Sequence, residues 1–171
     1  MKFEDRIISL VDFLLDLGCD VNALIIDKKN ETSELYRKWG VAHFLMRFPS
    51  LKLVKYFKSK VRDFNSPNAQ QMTPLHLFCK NVSKGNLLDA NISLPDDYNS
   101  LKVLEYLLSQ AALNPNCFDS FRALPILYAA LNGQYDFIST LRRFKSEVNF
   151  CTTRNEVPFI ELIKRNKSFT G

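Results

Sequence analysis

Apolar residues recur along the chain in short blocks with helical spacing, and polar, turn-forming stretches separate the blocks. Leu10, Val11, Phe13, Leu14, Leu15 and Leu17 fill one broad helical face. Gly18 follows them and is placed to end that helix, because glycine takes the left-handed conformation without steric cost. The same reading predicts helices over Ala42 to Phe48, Leu51 to Lys58, Pro74 to Lys80, Ser100 to Leu108, the block around Tyr128 to Leu131, Tyr135 to Arg143, and Phe159 to Arg165. Pro74 suits the first turn of its helix, where its missing N–H would have no partner anyway. Pro49 is placed to end the helix before it. Two stretches break the rhythm. Leu24 to Trp39 is polar, with Leu35, Tyr36 and Trp39 near its end, and reads as an extended hairpin loop. Val82 to Tyr98 holds Gly85, Asn91, Pro95, Asp96 and Asp97, a loop composition. No pair of such short helices buries its own stripe, so the expectation is an all-α array in which neighbours cover one another.

The punctuation between blocks repeats. Thr73-Pro74-Leu75-His76 has counterparts in Gly40-Val41-Ala42-His43, Leu124-Pro125-Ile126-Leu127 and Val157-Pro158-Phe159-Ile160. Gly40 to Thr73 and Leu124 to Val157 are both 33 residues, and Thr73 to Leu124 is 51, which leaves 18 inserted. Each unit closes on a similar exit: Asp20-Val21-Asn22, Asp63-Phe64-Asn65, Asn114-Pro115-Asn116 and Glu147-Val148-Asn149. These motifs resemble the ankyrin repeat, a unit of 33 residues. The resemblance covers the chain apart from the two insertions, with repeats at about 1–23, 40–66, 73–117, 124–150 and 157–171 and insertions at 24–39 and 82–98. It implies an ankyrin-repeat solenoid of stacked helix–turn–helix units with hairpin loops projecting sideways. It also implies a structural role for His43 and His76, tying neighbouring loops together. Phe78 and Cys79 stand at the two family alanines, and Phe78 is large enough there to require repacking; Cys19 and Cys117 stand at alanine positions as small apolar residues. By register the opening of the first unit falls before Met1, which leaves Phe3, Ile7 and Leu10 with no neighbour, and the last unit stops after one helix. Flanking repeats or domains in a longer parent protein are the expected cover.

Composition narrows the function. Apolar residues are 46% of the 171, too many for a disordered chain. The longest apolar runs fall far short of a membrane span, and Met1 to Arg6 is charged, without a signal-peptide block. The expected location is intracellular, cytoplasmic or nuclear. Cys19, Cys79, Cys117 and Cys151 contain no C-x-x-C pair, which argues against a zinc site or a disulfide framework. With two histidines, both at the structural position, and no glycine-rich phosphate loop among five glycines, the expectation is no catalytic site, cofactor or metal. The net charge of +5 is uneven: Arg47 to Arg62 holds six basic residues and no acid, and Lys52, Lys55 and Lys58 share one side of a helix.

The family resemblance implies a non-enzymatic module that binds a protein partner through its concave face. Transferred by register, the hairpin tips are Asn68 to Gln71, Asp119 to Arg122 and Thr152 to Asn155. The helix surface adds Phe44, Arg47, Phe48, Leu77, Lys80, Asn81, Tyr128, Leu131, Asn132, Glu161, Lys164 and Arg165. Aromatics and arginine concentrate binding energy, so the preferred positions are Phe44, Arg47, Gln70, Phe121, Arg122, Tyr128, Arg154 and Lys164. The competing reading packs Phe44 and Tyr128 against the hairpins. Two other functions stay open: an adaptor or targeting segment of a larger protein, such as a ubiquitin-ligase receptor or a signalling protein, and a nucleic-acid or anionic-membrane binder using Lys52, Lys55 and Lys58. The family's hairpin asparagines also serve as substrates of an asparaginyl hydroxylase, often with a leucine eight residues upstream; Asn22 with Leu14 and Asn149 with Leu141 fit, whereas Asn65 has Phe57.

Overall fold

The structure, a computed structural model, describes residues 3–25, 38–47, 49–81 and 99–153. These form helices α1 (Phe3–Asp16), α2 (Val41–Arg47), α3 (Leu51–Lys58), α4 (Pro74–Asn81), α5 (Ser100–Ser109), α6 (Pro125–Leu131) and α7 (Tyr135–Arg143), and no strand forms among the described residues. The fold is all-α. The helices lie in two layers. In the inner layer α4 packs between α2 and α6; in the outer layer α3 joins α1 to α5, and α5 joins α7.

One core runs between the layers. The inner helices contribute Leu45, Met46, Leu75, Phe78, Ile126 and Ala129, and the outer helices Val54, Phe57, Leu104, Leu107, Phe137 and Leu141, all buried. The position of Phe78 is filled by Leu45 in the preceding inner helix and by Ala129 in the following one. The large ring takes the room the alanine leaves and stands edge-on to Phe137, with centroids 5.2 Å apart. That is the repacking its size requires.

Three of the four outer helices, α1, α5 and α7, end alike. Gly18, Ala111 and Lys145 have positive φ, and after each the next N–H reaches five residues back, Cys19 to Leu14, Ala112 to Leu107 and Ser146 to Leu141. This is the Schellman arrangement, with glycine in only one of the three places. Ser50 and Asn99 cap the N-termini of α3 and α5 through their side-chain oxygens.

Beyond α1, α3 and α5 an asparagine bridges to the next unit. Asn22 Oδ1 accepts from Arg62 N at 2.8 Å and its Nδ2 donates to Lys60 O at 3.3 Å. Asn65 does the same with Asn114 N and Ala112 O, at 2.7 and 3.1 Å. Asn116 repeats it with Glu147 N and Lys145 O, at 2.9 and 3.1 Å. These three asparagines form a ladder along one edge of the stack.

Two expectations need correction. Residues 3–9 are not a remnant of an inner helix: α1 is one continuous outer helix that carries them, so Ile7 packs on the core with Ile8 and Val11, while Phe3, Leu10, Phe13, Leu14 and Leu17 are exposed. The described ends of the 24–39 insertion pair through backbone, Ile25 N donating to Trp39 O and Lys38 N to Ile25 O, and Trp39 is buried. Cys19 is exposed and Cys117 half-buried, so neither fills a core position, whereas Cys79 does. The insertion at 82–98 and the unit from 157 onward lie outside the described residues.

Candidate functional site

Two histidines fix the inner surface. His43 Nδ1 accepts from Gly40 N at 3.2 Å, so Nε2 carries the proton and donates to Met72 O at 3.3 Å. His76 Nδ1 accepts from Thr73 N and the Thr73 hydroxyl, and its Nε2 donates to Ala123 O at 3.1 Å. Met72 and Ala123 each stand one residue before the opening of the next unit. Each ring therefore pins the hairpin of the following unit onto its own inner helix. Burial lowers the pKa of both rings, opposed by those backbone bonds and, at His76, by the nearby Asp119 charge. Both nitrogens of both rings are used by the fold, which leaves none for proton transfer to a substrate.

The hairpins repeat atom for atom. Asn68 Oδ1 accepts from Gln70 N and Met72 N; Asp119 Oδ1 accepts from Phe121 N and Ala123 N. Lys38, Gln71 and Arg122, each two residues before a unit's opening, share φ between 52° and 58°. Ser120 N bonds to Gln70 O, and Thr153 N bonds to Phe121 O, so successive tips are joined edge to edge. These bonds correct two expected surface positions: Asn68 and Asp119 are buried, because their side chains turn inward to close the hairpin.

The residues expected to bind separate accordingly. Phe44 is 37% exposed and stands edge-on to Trp39, with centroids 5.1 Å apart. Arg47 ends α2 half-buried. Gln70 and Phe121 are half-buried with their carbonyls spent on the next tip, and Arg122 is exposed, 5.9 Å from the Phe118 ring. Tyr128 is half-buried: its hydroxyl donates to Asp119 Oδ2 at 2.5 Å, and Lys80 Nζ lies 5.9 Å from its ring. Tyr128 thus packs against its hairpin and still presents an edge to the surface. Leu77, expected at the surface, is buried with Trp39 and Met72. Arg154, Lys164, Phe48 and the other expected positions from 154 onward lie outside the described residues, as does the side chain of Asn81.

The sequence reading missed Trp39 as the floor of this surface. Together with Met72, Leu77, Ile25 and Tyr128 it forms a second apolar cluster under the hairpins. Its signal was available: Trp39 stands one residue before a unit's opening, in register with Met72 and Ala123. The same register explains a difference between hairpins. Where the Asp119 carboxylate meets the Tyr128 hydroxyl, the preceding unit has Asn68 and Leu77, and Asn68 Nδ2 has no partner among the described residues.

Two of the three lysines of the basic outer stripe, Lys52 and Lys55, meet neighbouring helices. Lys52 pairs with Asp5 of α1, and Lys55 Nζ lies 5.6 Å from the Tyr106 ring of α5. Tyr56 donates to Asp12, which Lys60 also approaches at 3.9 Å. Asn22 is held on both polar atoms by the ladder, while Asn149 is exposed. A cleft of about 220 Å³ opens between the first exit and α2, lined by Asn22, Gly40, His43, Arg62, Asp63 and Ser66 among others. His43 is its one imidazole, and that ring is fully bonded. Among the described residues no three His, Cys, Asp or Glu side chains gather as metal ligands, and no helix is long and apolar enough to cross a membrane. A scan against protein-family models finds no match to this chain, and a search of curated proteins finds none either.

Proposed function

We propose that the chain is an ankyrin-type solenoid that binds a partner protein through the face formed by α2, α4, α6 and the hairpin tips. The observation that carries this reading is the repeated hairpin. Its αL residue, its inward Asn or Asp and its histidine pin recur in register, and they hold Phe44, Lys80, Arg122, Tyr128 and Leu131 on one surface. Leu131, at 52% exposure, and Phe44 are apolar groups that this architecture leaves outside its core. Rigid elements carrying exposed aromatic, apolar and arginine side chains suit macromolecular recognition. An adaptor role inside a larger protein is compatible with the same surface. Nucleic-acid or membrane binding through the outer helix draws no support from Lys52 and Lys55, which already serve α1 and α5.

The test is site-specific photocrosslinking in cell extract. A photoreactive residue replacing Leu131 is compared with one replacing Lys102 on the outer layer. Discrete protein adducts at 131 and none at 102 support the reading. Adducts at 102 alone overturn it.

A further inference from the structure

Among the described residues cations occur on both layers, Lys52, Lys55, Lys102 and Arg143 on the outer helices included, but the exposed acids occur on one. Every exposed carboxylate among the described residues sits on an outer helix or an exit: Asp12 and Asp16 on α1, Asp136 on α7, and Asp20, Asp63 and Glu147 on the exits. The inner helices and hairpins carry Lys38, Arg47, Lys80 and Arg122. Among the described residues their single acid, Asp119, is buried and bonded to two backbone N–H groups and Tyr128. Arg47, Lys80 and Leu131 stand seven residues after the openings of their units, so two cations and one apolar group follow one another along the same ridge. Arg122 and Lys38 stand at the αL position of their tips, where the side chain leaves the hairpin. Lys80 Nζ lies 5.9 Å from the Tyr128 ring, and Phe44 on α2 and Leu131 on α6 are exposed apolar groups of the same inner layer.

Resting on the reading of the inner face as the binding face, we propose that its ligand is an acidic peptide segment with an apolar or aromatic side chain between its carboxylates. The cations meet the acids and suppress basic competitors by like-charge repulsion. Phe44, Tyr128 and Leu131 take the apolar side chain. A peptide fits better than a nucleic acid. The cations alternate with apolar groups instead of tracking a continuous phosphate line, and Phe44 is held edge-on by Trp39 rather than laid open for base stacking.

The test uses a displayed random dodecapeptide library selected on the full chain, followed by fluorescence anisotropy of the enriched peptides. Lys80→Glu, Arg122→Glu, Leu131→Arg and the outer-layer control Lys102→Glu are compared, each checked for an unchanged helical spectrum. The expected result is enrichment of Asp and Glu beside Phe, Tyr or Leu. Each inner charge reversal should weaken binding by about fivefold or more, and raised salt should weaken it too, while Lys102→Glu leaves it unchanged. Enriched peptides that are not acidic but are lost in Leu131→Arg would overturn the acidic specificity and leave the face intact. Peptides indifferent to every inner variant, or no enrichment at all, would overturn the acidic inference, the former with the face itself. Tighter binding of a twelve-nucleotide single strand than of any peptide, lost in the same variants, would replace the peptide with a nucleic acid.

Discussion

At the scale of single residues the fold depends on side chains that bond to backbone. Asn65 holds both the N–H of Asn114 and the carbonyl of Ala112, so Asn65→Ala strands two groups and should cost about 1–2 kcal/mol in urea unfolding. Asn149→Ala, at an exposed place with no ladder bond among the described residues, should cost less than half as much. Ala111 adopts φ 51°, so Ala111→Gly should relieve the left-handed strain and gain up to about 1 kcal/mol after the entropy of glycine is subtracted. His43 and His76 supply a pH dependence with a definite sign. In the unfolded chain they take a proton near the ordinary histidine value of 6.5, and in the folded chain burial and an Nδ1 facing an N–H donor resist it. The unfolded state therefore binds more protons, and stability is lost as pH falls below about 6.5. A series of urea midpoints from pH 7.5 to 5 should fall, and His76→Gln should flatten the slope. Much of this was legible. The histidines, exit asparagines and Gly18 are punctuation whose chemistry is local. The left-handed Ala111 and Lys145 were not, because only glycine announces that conformation.

At the scale of elements, α3, α4, α5 and α7 were readable to within a residue or two, since a proline, a cap or a stripe marks their limits. The first helix was readable at its end, which Gly18 marks, but not at its start, because its stripe runs unbroken from Phe3 to Leu17. It packs along α3, with Ile8 and Val11 on the core and Leu10 and Phe13 in solvent. Hence Leu10→Glu and Phe13→Glu should change stability by no more than about 0.5 kcal/mol, whereas Ile8→Ala should cost about 1–3 kcal/mol. Thermal melts of the three variants separate the cases. The candidate surface was half legible for a related reason. Register alone puts Phe44, Tyr128 and Leu77 at the surface; the structure leaves Phe44 exposed and Tyr128 half-buried, but Leu77 sinks beneath Trp39, which depends on a hairpin whose length departs from the period.

At the scale of the whole molecule, the main helix packing among the described residues runs from neighbour to neighbour, α2 to α4 to α6 and α1 to α3 to α5 to α7, with α6 on α7. Stability is then a chain of nearest-neighbour terms, and a weak link can divide it. Trp39 is the sole tryptophan and lies buried in the cluster under the first hairpin, so its fluorescence reports on that end. Leu104 sits at the centre of the outer layer, fully buried. Leu104→Ala should cost about 2–5 kcal/mol and should separate the tryptophan transition from the circular-dichroism transition of the whole chain. Coincident transitions in that variant would show a stack that stays cooperative across its middle.

The asparagine ladder reads only main-chain atoms: each rung grips an N–H and a C=O that every residue type but proline provides in full. A seam of that kind is blind to side-chain identity. The rung from Asn65 to Asn114 closes across 49 residues and tolerates the 18-residue insertion between them as readily as the rung from Asn116 closes across its shorter span. Units can therefore be exchanged, lengthened or grafted as blocks, and the inner face can diversify while the seam that joins the blocks stays the same.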